Sequence, residues 1–108
     1  MVTSSPQTRI LTFDIETAGV NALKSDLGFV VVVGYKWLHE KRAHSLMIDE
    51  ASLRRFDDRT ILTQASAIIE QADLLVGHFS SIFDRRFFQG RLLINGLPPI
   101  PQTKMRDT

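Results

Sequence analysis

The chain has 108 residues, 44% of them hydrophobic and 23% charged, which is the composition of one folded domain rather than of a disordered segment. Its formal net charge of +1 excludes the strongly basic class of nucleic-acid-binding proteins, so any such binding must come from a local patch. The absence of cysteine excludes disulfides and thiolate metal sites, leaving oxygen or imidazole ligands for any metal.

Signals for secretion and for membrane insertion bear on where the protein works. The N-terminus does not show a basic start followed by an apolar core, the pattern of a secretory signal. The longest apolar run, at residues 29–33, is far shorter than the roughly 20 residues that a membrane-spanning helix needs. We therefore expect a soluble, cytoplasmic protein that has no membrane partner.

The first half of the chain predicts an arm followed by three strands. Residues 1–8 are rich in Ser, Thr, Pro and Gln and are typical of a flexible arm. Residues 9–15 alternate as a strand with apolar residues on both faces, so we expect this strand inside the sheet, followed by a loop at residues 18–26. Residues 28–38, with four consecutive valines, and residues 43–48 are predicted to form a hairpin.

The second half of the chain predicts two helices with a short strand between them. Asp57 or Asp58 can cap the first helix, whose apolar residues recur at the helical period. A short buried strand follows at residues 74–76, and Ser80 or Ser81 can cap the second helix.

The end of the second helix and the segment after it complete the predicted order. The helix is expected to run to about Ile94, because Asn95 and Gly96 form a stop signal. Prolines then impose an extended passage, and residues 104–108 can form a last short strand. This order predicts an α/β fold with a mixed sheet, an antiparallel hairpin at one side and flanking helices. It is compatible with a ribonuclease H-like core, although periodicity alone does not choose that core over other α/β folds.

The sharpest local feature is the pair Asp14 and Glu16 at the end of the first predicted strand. Residues two apart on a strand project to the same face, so the two carboxylates are expected side by side. They repel each other unless a cation lies between them, and hard oxygen ligands of this kind suit Mg²⁺ or Mn²⁺. The alternative is a pair of solvated acids at a strand end, and the motif alone does not decide between the two.

A second feature follows the short strand, where the chain turns after Gly77 and enters the second helix. Asp84 is expected in the first turns of this helix, where it can bind a metal or simply favour the helix dipole. Phe83, Phe87 and Phe88 are typical of core residues rather than of base-stacking surfaces.

Taken in order, these segments resemble the DEDD superfamily of 3′–5′ exonucleases, with most likeness to the proofreading domains of family B polymerases. Residues 14–17, Asp-Ile-Glu-Thr, match the first motif of that superfamily. Residues 77–84 match the second motif, which begins with Gly followed by His or Tyr and ends in Phe-Asp. Residues 92–98 and 107–108 also look like family sequence, so the resemblance covers nearly the whole chain from Arg9 onward.

The resemblance implies an enzyme that hydrolyses phosphodiester bonds at the 3′ end of single-stranded DNA or RNA with two Mg²⁺ or Mn²⁺ ions. The implied catalytic and metal-binding residues are Asp14, Glu16 and Asp84. Asp14 would bridge both ions, Glu16 would hold the ion that activates water, and Asp84 would reach the second ion through water. The implied contacts with the substrate are Thr17, His78, Phe79 and Arg85.

Some of these residues have simpler alternative roles. His78 can be a turn or packing residue. Arg85, together with Arg86 and Arg91 on or near the same helix, can either contact phosphates or form a solvated helix face.

Two departures from the family pattern bear on activity. Phe79 stands where the family usually has Asn, and the third motif, a Tyr or His four residues before an Asp, does not occur in these 108 residues. In the family this Asp is the fourth metal ligand. We therefore expect residues 9–108 to be a partial ribonuclease H-like exonuclease domain, truncated before the third-motif helix and inactive or weak by itself. Apolar surface exposed by such a truncation is expected to favour self-association.

Other functions remain open from the sequence. A non-catalytic ribonuclease H-like module that binds nucleic acid or protein is favoured by Phe79 and by the missing motif, and disfavoured by the intact Asp14 and Glu16 pair. A ribonuclease H or transposase-type nuclease also uses an Asp on its first strand, but the following Glu and Thr favour the exonuclease. A small-molecule α/β enzyme is the least favoured reading, because the chain has no glycine-rich phosphate loop.

Overall fold

The computed structural model describes the backbone of residues 8–19, 28–77 and 82–107, but not the side chains of residues 82–84, 106 and 107. The elements in chain order are β1 (Ile10–Gly19), β2 (Gly28–Trp37), β3 (His44–Met47), α1 (Glu50–Arg54), α2 (Arg59–Glu70), β4 (Leu74–Gly77), α3 (Ile82–Ile94), a 3₁₀ turn (Gln102–Lys104) and β5 (Met105–Asp107). None of the helices within these ranges is long and apolar enough to cross a membrane.

In the described part of the chain the strands form one mixed sheet in the order β3-β2-β1-β4-β5. β1 and β2 pair antiparallel, as do β2 and β3, so the predicted hairpin is confirmed. β4 is parallel to both β1 and β5. β1 therefore lies at the centre of the sheet, as its two partly apolar faces predict.

The core lies on one face of this sheet, beneath α2 and α3. Leu11 and Phe13 of β1 are buried there, and the ring of Phe88 on α3 meets that of Phe13 edge-on, with centroids 5.7 Å apart. Phe87 is also buried, so the prediction that Phe87 and Phe88 are core residues is confirmed. The residues that α2 contributes share the helical period, and they are Ile61, Leu62, Ala65 and Ile69.

β1 is longer than the sequence predicts. The alternation read from the sequence ends the strand at Ile15 and begins a loop at Ala18, but Ala18 and Gly19 pair with Phe29 and Gly28. The prediction was wrong because the start of β2 lies opposite these residues and supplies hydrogen bonds that the local pattern does not reveal. Asp14 and Glu16 therefore lie within a ten-residue strand rather than at its end.

The sequence pattern also missed α1. This helix has five residues, too few to display a helical period. Its start does carry a cap, because the Asp49 carboxylate accepts hydrogen bonds from the backbone N–H of Ser52 at 2.8 Å and from its hydroxyl at 2.9 Å.

Asp58 occupies the N-cap position of α2, one of the two positions predicted, but its carboxylate does not cap the helix. It is fully buried and accepts two hydrogen bonds of 2.8 Å from the Arg91 guanidinium. It also accepts one of 2.9 Å from the N–H of Val30 and one of 3.1 Å from the amide of Asn95. Arg91 is therefore buried against Asp58, and both interpretations of it, as a phosphate contact and as part of a solvated helix face, are wrong.

The end of α3 agrees with the sequence prediction. Gly96 follows Asn95 with a φ of 69°, and the N–H of Leu97 donates to the carbonyl of Leu92 at 2.8 Å, as in a helix end closed by glycine. The predicted last strand is confirmed as β5, whereas the predicted caps Ser80 and Ser81 lie outside the described residues.

Candidate active site

The carboxylates of Asp14 and Glu16 lie on the face of the sheet opposite α2 and α3. Alternation along β1 places Phe13 in the core and packs Ile15 against it, so the residues on either side of Ile15 point the other way. Asp14 and Glu16 are both exposed. The period-two pattern therefore places both acids on one accessible face, as the sequence predicts.

Asp14 lies directly opposite Gly34 of β2, and its carboxylate leans across that residue. A Cβ placed on Gly34 would be 2.6 Å from Asp14 Oδ1 and 3.7 Å from its Cγ. The first distance is far inside van der Waals contact, so the carboxylate occupies the space that a side chain at residue 34 would need. The sequence signal for this approach is the glycine itself, because a glycine inside a β-branched strand often marks a place where other atoms come close to the backbone.

A depression of about 210 Å³ lies beside Asp14 and Gly34. Thr12 and Lys36 form part of its wall, and the Thr12 hydroxyl donates to the Lys36 carbonyl at 3.2 Å. The rings of Tyr35 and His44, with centroids 5.1 Å apart, lie on the other face of the sheet, because Tyr35 pairs with the core residue Phe13. The carboxylate of Asp14 therefore borders an open depression whose wall on this face includes Thr12 and Lys36.

A β-bulge separates Glu16 from Thr17. Glu16 lies opposite Val32 and Thr17 opposite Val30, so Val31 is an extra residue on β2. Bulges change the direction of neighbouring side chains and are frequent beside active sites. Thr17, which the resemblance assigns to substrate contact, is half-buried just beyond this bulge.

The remaining candidates are placed only in part. Asp84 is the third residue of α3, in its first turn as predicted, but its side chain is outside the described set. His78 and Phe79 also lie outside the described residues, while Arg85 is half-buried on α3. Among the side chains that the structure describes, no three of His, Asp or Glu are close enough to share a metal, and Asp84 is not among those searched.

The topology nevertheless sets where α3 begins. β4 runs parallel to β1 with Val76 opposite Thr12, so its last residue, Gly77, comes level with Phe13, next to Asp14. β4 ends at that level while β1 continues to Gly19, and α3 starts at Ile82. Only four residues therefore separate the end of β4, beside Asp14, from the helix that carries Asp84.

The donor chemistry of the two described acids fits a hard divalent cation. Asp14 and Glu16 offer carboxylate oxygens on a solvent-accessible face, which are the ligands that Mg²⁺ and Mn²⁺ prefer. Softer metals favour sulfur or imidazole, and this chain has no cysteine.

No family model and no curated protein matches the sequence. Among solved structures, the chain is similar to the family B DNA polymerase from the hyperthermophilic archaeon Pyrobaculum calidifontis, with a TM-score of 0.68 and 22% sequence identity. The fold is ribonuclease H-like. The match covers 97% of this chain and 14% of the polymerase, so the ribonuclease H-like sheet and its helices correspond to a small part of that protein. The fold predicted from the sequence is thereby confirmed.

Proposed function

We propose that residues 9–108 form the metal-binding part of a 3′–5′ exonuclease domain that hydrolyses phosphodiester bonds at the 3′ ends of single-stranded DNA or RNA. The observation that carries this proposal is the pair of exposed carboxylates, Asp14 and Glu16, on one face of the central strand. The likeness of the fold to part of a family B DNA polymerase supports it.

Asp14, Glu16 and Asp84 are the residues that would hold Mg²⁺ or Mn²⁺. The parallel pairing of β1 with β4 supports the inclusion of Asp84, because β4 ends level with Phe13, next to Asp14, and only four residues separate that end from the start of α3. Bound divalent ions would supply charge stabilisation to the attacking and leaving oxygens of in-line hydrolysis. The role of the three carboxylates would be to hold those ions over the face of the sheet that carries Asp14 and Glu16.

Contacts with the substrate are proposed for Thr17, His78, Phe79 and Arg85. Thr17 follows Glu16 on β1, opposite the bulge in β2, and Arg85 follows Asp84 on α3, so each is next in sequence to a proposed ligand. His78 and Phe79 belong to the segment between β4 and α3. In these positions they would bind the terminal nucleotide and its phosphates.

The exonuclease superfamily that the chain resembles carries a third motif, which does not occur in these 108 residues. Its Asp would complete the set of carboxylates, and its Tyr or His would orient the attacking water. Removing one member of a cooperating catalytic set costs orders of magnitude in rate. We therefore expect this chain alone to bind metal weakly and to hydrolyse little.

Mn²⁺ binding to the chain tests the proposed ligands. Asp14→Asn and Glu16→Gln each keep the shape of the side chain and remove its charge, so each should lower Mn²⁺ affinity by at least about 10-fold. Electron paramagnetic resonance of free Mn²⁺ measures this. Glu70→Gln is the matched control, because Glu70 is an exposed acid on α2, the helix that packs on the opposite face. An equal loss in all three variants, or no loss for Asp14→Asn, would contradict the proposal.

Shortening of a labelled single strand tests the chemistry. With Mn²⁺ the chain should remove nucleotides slowly from the 3′ end, and Asp14→Asn should abolish this removal. Rapid processive shortening would show that the missing motif is not needed.

A non-catalytic binding module is the second candidate, and Phe79 in place of the usual Asn favours it. It predicts that Asp14→Asn leaves the affinity for single-stranded nucleic acid unchanged and that no shortening occurs with or without Mn²⁺. Filter binding of the same labelled strand measures that affinity.

A further inference from the structure

We propose that Gly34 is a positioning residue for Asp14: the absence of a side chain at residue 34 lets the Asp14 carboxylate lie over β2 in one orientation. The inference rests on the proposed function in assigning metal binding to Asp14. It adds a residue on a neighbouring strand that determines where the carboxylate oxygens lie.

The cross-strand geometry carries the inference. Asp14 and Gly34 are Cα partners in the antiparallel pair of β1 and β2, and side chains at such positions normally stand about 4.5–5.5 Å apart at Cβ. Here the carboxylate leans toward its partner instead, so that Oδ1 comes within 2.6 Å of the place where a Cβ would be. Any residue other than glycine would have a Cβ at this place and would have to displace this oxygen.

The backbone does not explain the glycine. Gly34 does not have a positive φ, whereas Gly19 and Gly96 have φ values of 119° and 69°, a conformation that side chains disfavour. A Cβ at Gly34 would approach Asp14 and no other described residue beyond its chain neighbours within 4 Å. A glycine inside a strand costs stability relative to alanine, so folding alone would favour replacing it.

The position of Gly34 also shapes the space around the acid. The depression beside Asp14 is bordered by Gly34 itself and by Thr12 and Lys36. A methyl group at residue 34 would occupy part of that depression and would force the Asp14 carboxylate to rotate away from β2. Since ligand oxygens must be held within a fraction of an ångström for tight coordination, this rotation should weaken metal binding.

Gly34→Ala separates this role from a structural one. The melting temperature should stay the same or rise by about 2–6 °C, because alanine reduces the freedom of the unfolded chain. The Asp14 χ1 rotamer, measured by three-bond NMR couplings, should change. Mn²⁺ affinity should fall by about 10-fold, the loss typical of a residue that orients a ligand. A purely structural role would instead lower the melting temperature and leave the rotamer unchanged.

Two further variants make the test specific. In an Asp14→Ala background no carboxylate remains to be displaced, so adding Gly34→Ala should leave the residual Mn²⁺ affinity unchanged. Ser45→Ala, at the exposed residue paired with Gly34 on β3, should change neither Mn²⁺ affinity nor the Asp14 rotamer.

The outcomes distinguish this inference from the proposed function. If Asp14→Asn leaves the Mn²⁺ affinity of the chain unchanged, the proposed function is wrong, and the rotamer measurement alone then decides the role of Gly34. If Gly34→Ala leaves the Asp14 rotamer unchanged, or changes it without lowering an Mn²⁺ affinity that depends on Asp14, the inference about Gly34 is overturned.

Discussion

Two aspartates show how side chains of the same type are oriented by different kinds of neighbour. Asp49 accepts hydrogen bonds from the backbone and hydroxyl of Ser52, three residues away, and so belongs to a local cap. Asp14 is oriented by Gly34, twenty residues along the chain, because the sheet places the two opposite each other. The first contact can be read from neighbouring residues, whereas the second depends on strand register.

The cap at α1 gives a prediction on pH dependence. The backbone N–H of Ser52, and then its hydroxyl, lower the pKa of Asp49 from its ordinary value of 3.8. Because the pKa of Asp49 is lower in the folded state than in the unfolded state, the charged cap stabilises the fold, and this stabilisation is fully present above about pH 3.8. It is lost as the pH falls through the folded-state pKa. Ser52→Ala keeps the backbone donor and should move the pKa only part of the way back. Carboxyl-carbon NMR titration measures it, and a wild-type value at or above 3.8 would refute the assignment.

At the scale of elements, one buried carboxylate joins the start of β2 to two helices. Asp58 lies at the start of α2. Its carboxylate accepts a hydrogen bond from the N–H of Val30 in β2 and pairs with Arg91 near the end of α3. Val30 lies opposite Thr17, immediately after the bulge. The same carboxylate that holds the two helices together therefore also anchors the strand segment opposite the candidate substrate contact.

Removal of that carboxylate should be costly. Asp58→Ala would remove the buried carboxylate that pairs with Arg91, a residue that is 9% exposed, and breaking such pairs costs about 3–5 kcal/mol. Since a domain of this size has only about 5–15 kcal/mol of stability, urea unfolding should show a large fall in midpoint. Glu50→Ala is the matched control, because it removes the partner of Arg54 in a pair that is 76% exposed on both sides and should change stability by less than about 1 kcal/mol. Similar midpoints for the two variants would contradict this account.

At the scale of the whole molecule, the two longer helices cover one face of the sheet and the candidate acids lie on the other. This division buries the aromatic and aliphatic residues of β1, β2 and α3 in one core and leaves Asp14 and Glu16 accessible. Large apolar side chains are also exposed elsewhere, among them Leu93 at 80% and Met47 at 73%. Exposed apolar surface of this kind favours contact between molecules.

We therefore expect the isolated chain to self-associate. Sedimentation velocity should give a weight-average mass above that of the monomer, rising with protein concentration, and Leu93→Gln should reduce the rise by removing apolar surface from α3. Thr63→Gln, which places the same side chain at an exposed position of α2, is the control. A monomer mass at every concentration would contradict this expectation. It would show that the exposed apolar side chains do not cause association.

The sequence by itself determined the features that depend on near neighbours. The valine run predicts β2, the helical period predicts α2, and the spacing of Asp14 and Glu16 places both on one face, because each pattern repeats within a few residues. Only the tertiary structure decided that β1 continues to Gly19, that the Asp58 carboxylate binds Arg91 rather than capping its helix, and that Gly34 leaves room for Asp14. These features join residues about ten to more than thirty positions apart, and such pairs meet only when the packing of the sheet and helices sets which segments face each other.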